Sequence, residues 1–239
     1  MKHAQKKNLI LLWLAQAISQ AGDAIYQLAL LWLVLDMTHS TVITGIIAMS
    51  AYLPALIFGL YAGVFSDRMN RFKLMIFSNA GQALTVLLIP LVLWYGHENV
   101  WLICGFAFIR SCFNTLFQPA LQSFIPMLFP PERIVKINAI LVTSGHIAWM
   151  IGPFFAGILL SILSIKYLFL VDAASFLLGL ALLLFITQPI HFSQPEDHSH
   201  WSELKQGLSY LFSQKPIFWM IIITSVSYTH LTLPTNREV

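Results

Sequence analysis

Apolar residues occur along this chain in long runs, and short polar segments separate the runs. A helix needs about 20 mostly apolar residues to cross the hydrocarbon core of a bilayer. Boundaries drawn at the polar breaks give six predicted spans, at residues 9–35, 42–65, 72–95, 100–118, 137–163 and 167–187. The pattern therefore predicts an all-α membrane protein in which residues 1–187 form an N-terminal bundle of six transmembrane helices.

The chain after residue 187 follows a different pattern. Residues 188–216 are polar and predict a central cytoplasmic loop, within which residues 201–212 have the spacing of a short amphipathic helix. A seventh span begins at 217–225, but residues 226–239 are too polar to complete it. This tail resembles one reading frame of an adapter used in sequencing libraries. We therefore expect it to be non-native, and we expect the natural protein to continue into a C-terminal half.

The distribution of charged residues indicates the orientation of the chain in the membrane rather than a charged binding partner. Only 10% of the 239 residues are charged, against roughly 25% in soluble domains, and the basic residues form no stripe that would indicate nucleic-acid binding. Lys166 is the lone basic loop residue on one predicted side. The basic residues on the other side are Lys2, Lys6, Lys7, Arg68, Arg71, Lys73, Arg133, Lys136, Lys205 and Lys215. Cytoplasmic loops carry the excess of Lys and Arg, so we expect a multi-pass plasma-membrane protein with a cytoplasmic N-terminus.

Neither a metal ion nor another cofactor is predicted. His191, His198 and His200 lie in the polar loop without a fourth ligand or a regular spacing. Cys104 and Cys112 lie in one predicted helix, about 12 Å apart along its axis, which is too far for a disulfide.

Three ionisable residues fall inside predicted spans, namely Asp23, Arg110 and Asp172. Such a residue costs roughly 2.5–3.5 kcal/mol near the centre of a membrane helix, so it marks a polar path or pairs with a partner. Counted from the predicted helix ends, Arg110 lies near the midplane and Asp23 lies about 21 Å from Leu9, a little outside the centre, so the two could meet across the bundle. Asp172 lies about 7 Å from the outer end of its helix, which leaves open a structural or outer-gate role as well as a binding role. A buried structural ion pair is the alternative for each residue.

Polar residues extend from two of these positions at helical spacing. The stripes consist of Gln16, Gln20, Asp23 and Gln27 in the first span and of Arg110, Asn114 and Gln118 in the fourth. Because an amide that faces lipid is left unsatisfied, two such stripes predict a shared polar cavity, with interhelical hydrogen bonding as the alternative. His146 in the fifth span could relay protons, but we expect a packing residue.

The charged turn after the second span carries a recognisable motif that includes Gly63, Asp67, Arg68, Asn70 and Arg71. It resembles the cytoplasmic signature between helices 2 and 3 of the major facilitator superfamily. Asn70 stands where the family usually has Gly, and we expect it to adopt a positive φ. The resemblance implies that Asp67, Arg68 and Arg71 latch an inner gate against the second half of the protein. Without the resemblance, the turn would be read as an orientation signal.

Small residues in the fifth span resemble the Gly-Pro motif of drug and proton antiporters in the same family. They are Ala148, Gly152, Pro153, Ala156 and Gly157, and generic close packing of helices is the alternative explanation. Arg110 matches the buried Arg that the family often places in helix 4 and links to proton coupling. The segments at 19–23 and 172–176 look like the macrolide-efflux and siderophore-exporter branch. The resemblance implies the six-helix half of a twelve-helix fold, built from two inverted three-helix repeats.

These observations favour a secondary transporter that exports drugs or other small amphipathic molecules by alternating access and is driven by protons. Asp23 and Arg110 would couple proton and substrate, and the partners would be a small-molecule substrate, protons, the bilayer and the C-terminal half. An importer of a small metabolite is an alternative, as is a fragment with no transport activity of its own. A membrane-embedded enzyme is disfavoured because the sequence lacks Gly-x-Ser-x-Gly, His-Glu-x-x-His and paired intramembrane acids.

Overall fold

The computed structural model describes residues 2–96 and 99–187, together with residues 213, 214, 219, 220 and 223. Side chains are described throughout these ranges except at positions 2–4, 60, 64 and 67. The predicted loop at 188–216, its amphipathic helix and the three histidines lie outside the described residues, apart from positions 213 and 214. The predicted seventh span and the tail at 226–239 also lie outside them, apart from positions 219, 220 and 223.

Helices make up nearly all of the described part of the chain. They are α1 (Lys2–Thr38), α2 (Thr41–Ser50), α3 (Leu53–Arg68), α4 (Arg71–Trp94), α5 (Val100–Leu128), α6 (Pro131–Ile162) and α7 (Ile165–Leu184). By length and composition, six segments of the described chain can cross a membrane, the second of them formed by α2 and the start of α3. The predicted all-α membrane fold is therefore confirmed.

The fourth span is longer than its predicted end at residue 118. Helix α5 continues through Pro119 and Pro126 to Leu128, and α6 begins at Pro131. Neighbouring helices and local adjustments of the backbone allow proline inside a membrane helix, so these prolines do not end α5. The long connection predicted between residues 118 and 137 is wrong, because only Phe129 and Pro130 separate the two helices.

The second span is interrupted, whereas the sequence predicted a continuous helix at 42–65. Helix α2 ends at Ser50 and α3 begins at Leu53, with Pro54 in its first turn. Proline lacks a backbone N–H, and its ring clashes with the carbonyl four residues earlier, which breaks the helix here. The hydroxyl of Ser111 on α5 donates a hydrogen bond to the carbonyl of Ala51. The break therefore faces α5.

The helix interfaces show the internal symmetry expected of inverted repeats. The most extensive contacts join α1 with α7, α4 with α5, α4 with α7, α1 with α6, and α3 with α5. In such a repeat α1 corresponds to α5, α3 to α6 and α4 to α7. The α1–α7 interface then corresponds to the α5–α4 interface, and α1–α6 corresponds to α5–α3. The α4–α7 interface joins the two corresponding helices themselves. This pairing is that of two equivalent three-helix units.

Two apolar clusters occupy opposite ends of the bundle. The first includes Leu12, Phe72, Phe124, Ile137 and Leu183, and the second includes Leu30, Val86, Ile103, Phe169 and Phe176. Buried polar side chains lie between them along α1, α4 and α5, and we call these side chains the polar layer. Its members are Gln16, Ser19, Ser78, Asn79, Gln82, Ser111 and Thr115.

Two polar contacts tie helix ends together at opposite ends of the bundle. The Asn8 side chain donates to the carbonyl of Thr187 at 2.9 Å and accepts from its N–H at 3.1 Å. At the other end, Lys166 Nζ donates to the carbonyl of Leu93 at 2.9 Å. A cation close to a helix C-terminus also interacts favourably with the helix dipole. The start of α1 and the end of α7 therefore lie on the same side.

The small-residue motif of α6 is divided between a packed face and an open face. A Cβ on Gly152 would overlap the Cβ of Ala24 on α1, whereas a Cβ on Gly157 would have no neighbour within 4 Å. Ala156 is buried and Ala148 is half-buried, whereas Pro153 is exposed. Only part of the motif therefore serves close packing inside this bundle.

We expect Gly152→Ala to destabilise the full-length protein and Gly157→Ala to leave its stability unchanged. Overpacking a tight site costs about 1–3 kcal/mol, and both substitutions add the same methyl group to the same helix. Thermal unfolding of the purified protein in detergent measures the difference. A Gly152→Ala variant with the melting temperature of the wild type would contradict the α1–α6 packing described here.

Candidate functional site

A buried arginine lies between two carboxylates that come from different helices. Arg110 Nη2 on α5 donates a hydrogen bond to Asp23 Oδ1 on α1, and it lies 3.7 Å from Asp172 Oδ2 on α7. The side chains of Arg110, Asp23 and Asp172 are 12%, 25% and 0% exposed. The structure thus brings together Asp23, Arg110 and Asp172.

Asp172 lies where the sequence predicts, seven residues after Ile165, at which α7 begins. The Arg110 side chain nevertheless reaches it from α5. The expectation that the chain lacks paired intramembrane acids is wrong, since Asp23 and Asp172 lie beside the same guanidinium.

Aromatic rings complete the surroundings of Arg110. Its Cζ atom lies 4.0 Å from the ring centroid of Tyr26 and 5.4 Å from that of Phe176. Tyr26 also packs edge-on against Phe169, with their ring centroids 5.7 Å apart. A desolvated cation over an aromatic face gains about 2 kcal/mol. The sequence analysis missed Tyr26, although its position three residues after Asp23 places it on the same helix face.

Close packing of α1 on α7 fixes the position of Asp172. The Ser175 hydroxyl donates to the backbone carbonyl of Asp172 at 2.7 Å and lies 3.4 Å from its Oδ1 atom. A Cβ on Gly22 would overlap both Ser175 Oγ and Asp172 Oδ1. Glycine at this position therefore leaves room for the carboxylate. In the sequence, this close approach of α1 and α7 is indicated only by the glycine that directly precedes the intramembrane Asp23.

A cavity of about 350 Å³ opens beside the Asp23–Arg110 pair. Polar residues from both predicted stripes line it, together with residues at the break between α2 and α3 and from the first part of α3. The lining residues include Asp23, Gln27, Arg110, Asn114, Gln118, Ala51, Tyr52, Gly59 and Trp149. The helix break, which the sequence analysis did not predict, thus shapes one side of the cavity.

Two residues of the α1 stripe point elsewhere. Gln16 is buried, with 5% exposure, and belongs to the polar layer. The amide of Gln20 packs against Gly145 of α6, so that a Cβ added to Gly145 would lie 3.1 Å from the amide atoms. Neither residue is among those lining the 350 Å³ cavity.

A second, apolar pocket of about 300 Å³ shares Gln27 and Trp149 with the cavity. Its other lining residues are Ala24, Leu28, Leu31, Trp32, Leu35, Thr44 and Pro153. A polar, charged site and an apolar site thus adjoin each other along α1.

The charged turn departs from expectation at Asn70. This residue has a φ of −63° and caps α4, its side-chain oxygen accepting from the Lys73 N–H at 3.1 Å. The predicted positive φ is therefore wrong, since a helix cap rather than a left-handed turn connects α3 to α4. Arg68 lies in the last turn of α3, and Arg71 Nη1 lies 3.2 Å from Met127 Sδ. Gly63 has open space at its Cβ position, and the Asp67 side chain lies outside the described part.

His146 is exposed on α6, so it does not pack among the described residues, and its packing role stays a prediction. For metal binding, residues 2–96 and 99–187 contain no cluster of three or more His, Cys, Asp or Glu side chains that could hold an ion.

Six segments that can cross a membrane, together with a charged cavity, define a polytopic membrane protein of the transporter class, because ionisable groups at membrane depth mark transport paths. The sequence matches the model of the Major Facilitator Superfamily over residues 12–235. The chain belongs to this family.

Relatives with curated names include efflux and siderophore transporters. The chain is 24% identical to macrolide efflux protein A of Streptococcus pyogenes, covering 97% of this chain and 57% of that protein. It is 29% identical to the uncharacterized MFS-type transporter YfiS of Bacillus subtilis, covering 86% and 49%. It is 28% identical to the staphyloferrin A transporter of Staphylococcus aureus, covering 90% and 56%. The chain thus spans about half the length of these relatives.

The Tyr26 ring, rather than its hydroxyl, is expected to stabilise the site. The hydroxyl is buried and forms no hydrogen bond with the described residues, so Tyr26→Phe should leave the free energy of unfolding unchanged or raise it slightly. Tyr26→Leu removes the ring beneath Arg110 and should lower it by about 1–2 kcal/mol. Thermal unfolding of the full-length protein compares the two variants, and an equal loss in both would contradict the stacking.

Proposed function

We propose that the full-length protein exports small amphipathic molecules across the plasma membrane by alternating access, and that proton entry drives export. The observation that carries this proposal is the Asp23–Arg110 ion pair in the wall of an open cavity of an apolar bundle. Similarity to proteins named as efflux pumps supports the direction of transport.

The charges of the site suit exchange of one cation for another. With both carboxylates ionised, Asp23, Asp172 and Arg110 carry a net charge of −1. Desolvated sites strongly disfavour an uncompensated charge, so binding of one proton or one monovalent cation is favourable. Asp23 is the more exposed of the two carboxylates and lines the cavity. A proton and a cationic substrate would therefore compete for Asp23, and this competition couples their movements.

The lining of the two adjoining pockets suits an amphipathic molecule. The amides of Gln27, Asn114 and Gln118 provide hydrogen-bonding groups in the charged cavity, and aliphatic and aromatic side chains of α1 line the neighbouring pocket. Trp149 borders both pockets. Binding sites for small molecules typically combine a large apolar surface with a few polar groups in this way.

The C-terminal half of the protein would complete the cavity and the gate. In this arrangement the N-terminus is cytoplasmic, and Asp67, Arg68 and Arg71 contact the second half when the cytoplasmic side is closed. Alternating access then consists of rocking one half against the other around the central site.

Export should depend on the charge of Asp23 but not on that of Asp36, an exposed residue on the same helix. Coupling free energies between ligands are typically 1–3 kcal/mol, or about 5- to 150-fold in affinity. We therefore expect Asp23→Asn to lower proton-driven uptake of a fluorescent amphipathic cation into inverted vesicles by at least about fivefold. Asp36→Asn is the matched control and should transport like the wild type.

Two results would overturn the proposal. Equal transport by the two variants at equal expression would show that Asp23 does not couple proton and substrate. Accumulation of substrate in right-side-out vesicles in place of inverted ones would favour the importer.

A further inference from the structure

The two carboxylates beside Arg110 are not equivalent. Asp23 Oδ1 accepts a hydrogen bond from Nη2 of Arg110. Asp172 Oδ2 lies 3.7 Å from the same nitrogen, and among the described residues it accepts no hydrogen bond. Asp172 is also fully buried. A buried acceptor without a hydrogen-bond donor is rare in folded proteins, and here the nearest cation lies just beyond hydrogen-bonding distance.

When Asp23 is neutralised, Asp172 is the remaining counter-ion of Arg110. A guanidinium keeps its proton under all physiological conditions, and a buried charge without a counter-ion strongly destabilises a protein. In the proposed transport cycle Asp23 takes up a proton or a cationic substrate, which removes the negative charge that Arg110 contacts. A shift of the guanidinium by roughly 1 Å would bring Nη2 within normal hydrogen-bonding distance of Asp172 Oδ2.

We propose that Asp172 is the alternate partner of Arg110, so that the guanidinium moves from Asp23 to Asp172 whenever Asp23 loses its charge. The role of this exchange in transport rests on the proposed function. One proton from the cavity binds the Asp23 carboxylate, Arg110 and Asp172 keep their charges, and the net charge of the site changes from −1 to 0. Asp172 acts on the coupling reaction through Arg110 and is therefore a positioning residue.

The surroundings favour movement of Arg110 over movement of Asp172. The Ser175 hydroxyl lies 3.4 Å from Asp172 Oδ1, and the backbone of Gly22 packs closely against the same oxygen. The guanidinium, in contrast, lies at the cavity wall. The other titratable group from α1 is Tyr26, over whose ring the guanidinium lies. Its face can support the cation in either position.

Other ionisable side chains do not offer a third partner in the described part of the chain. The ion pairs recorded for Arg110 there are those with Asp23 and Asp172. Cys104 lies one to two turns away on α5 and is half-buried, and His146 on α6 is exposed. The exchange therefore involves two carboxylates and one guanidinium.

A double-mutant cycle on the full-length protein, measured by thermal unfolding, tests the exchange without relying on transport. If either carboxylate can pair with Arg110, Asp23→Asn and Asp172→Asn should each lower the melting temperature by only a few degrees. The double variant leaves Arg110 without a counter-ion and should lose about 10 °C more than the sum of the single losses. Adding Arg110→Gln to the double variant should restore most of this loss, because no buried charge then remains.

The matched control combines Asp172→Asn with Asp36→Asn, which removes the same number of charges and should give additive losses. Additive losses in the Asp23–Asp172 cycle as well, or no rescue by Arg110→Gln, would overturn the proposal and leave Asp172 as a purely structural residue. If the Asp23–Asp172 double variant fails to accumulate in cells, the expression level of the triple variant provides the same test. Recovery to near the wild-type level supports the exchange, and failure of the triple variant to accumulate overturns it.

The cycle and the vesicle assay separate the two proposals. A non-additive cycle rescued by Arg110→Gln supports the exchange even if Asp23→Asn leaves export unchanged, in which case only the proposed function fails. An additive cycle in a protein whose export depends on Asp23 overturns the role of Asp172 alone.

Discussion

The need to neutralise one buried cation determines the arrangement at the centre of this bundle. Arg110 is only 12% exposed at membrane depth, where an unpaired charge is too costly to retain. Helix α1 therefore presents Asp23, and α7 presents Asp172. The aromatic faces of Tyr26 and Phe176 surround the guanidinium. Gly22 allows α1 to approach α7 closely enough for the second carboxylate to reach the site.

The rest of the fold keeps this site polar and accessible within an apolar protein. Apolar clusters fill both ends of the bundle, and the polar layer between them provides hydrogen-bonding groups near the charged residues. Residues at the break between α2 and α3 line the same cavity as Arg110, and Ser111 satisfies the freed carbonyl of Ala51. Irregular backbone is tolerated at membrane depth where it lines a cavity. The charged site and the cavity beside it thus depend on the same few contacts among α1, α3, α5 and α7.

Sequence patterns predicted the spans well because the length of an apolar run is set by the bilayer. They also identified the residues of the charged site, since Asp and Arg are conspicuous in apolar segments. The contact between Arg110 and Asp172 was not predictable, because the offset between two helices depends on tertiary packing. Pro54 was a signal for the break in the second span, yet Pro119 and Pro126 lie inside an unbroken helix. Proline alone therefore does not decide where a membrane helix ends.

The most direct test of this account is a structure of the full-length Asp23→Asn protein at a resolution that places the Arg110 side chain. The account predicts that the guanidinium moves to within hydrogen-bonding distance of Asp172 Oδ2, with the Tyr26 ring still beneath it. A guanidinium that remains beside the new amide and leaves Asp172 Oδ2 without a donor would contradict the account.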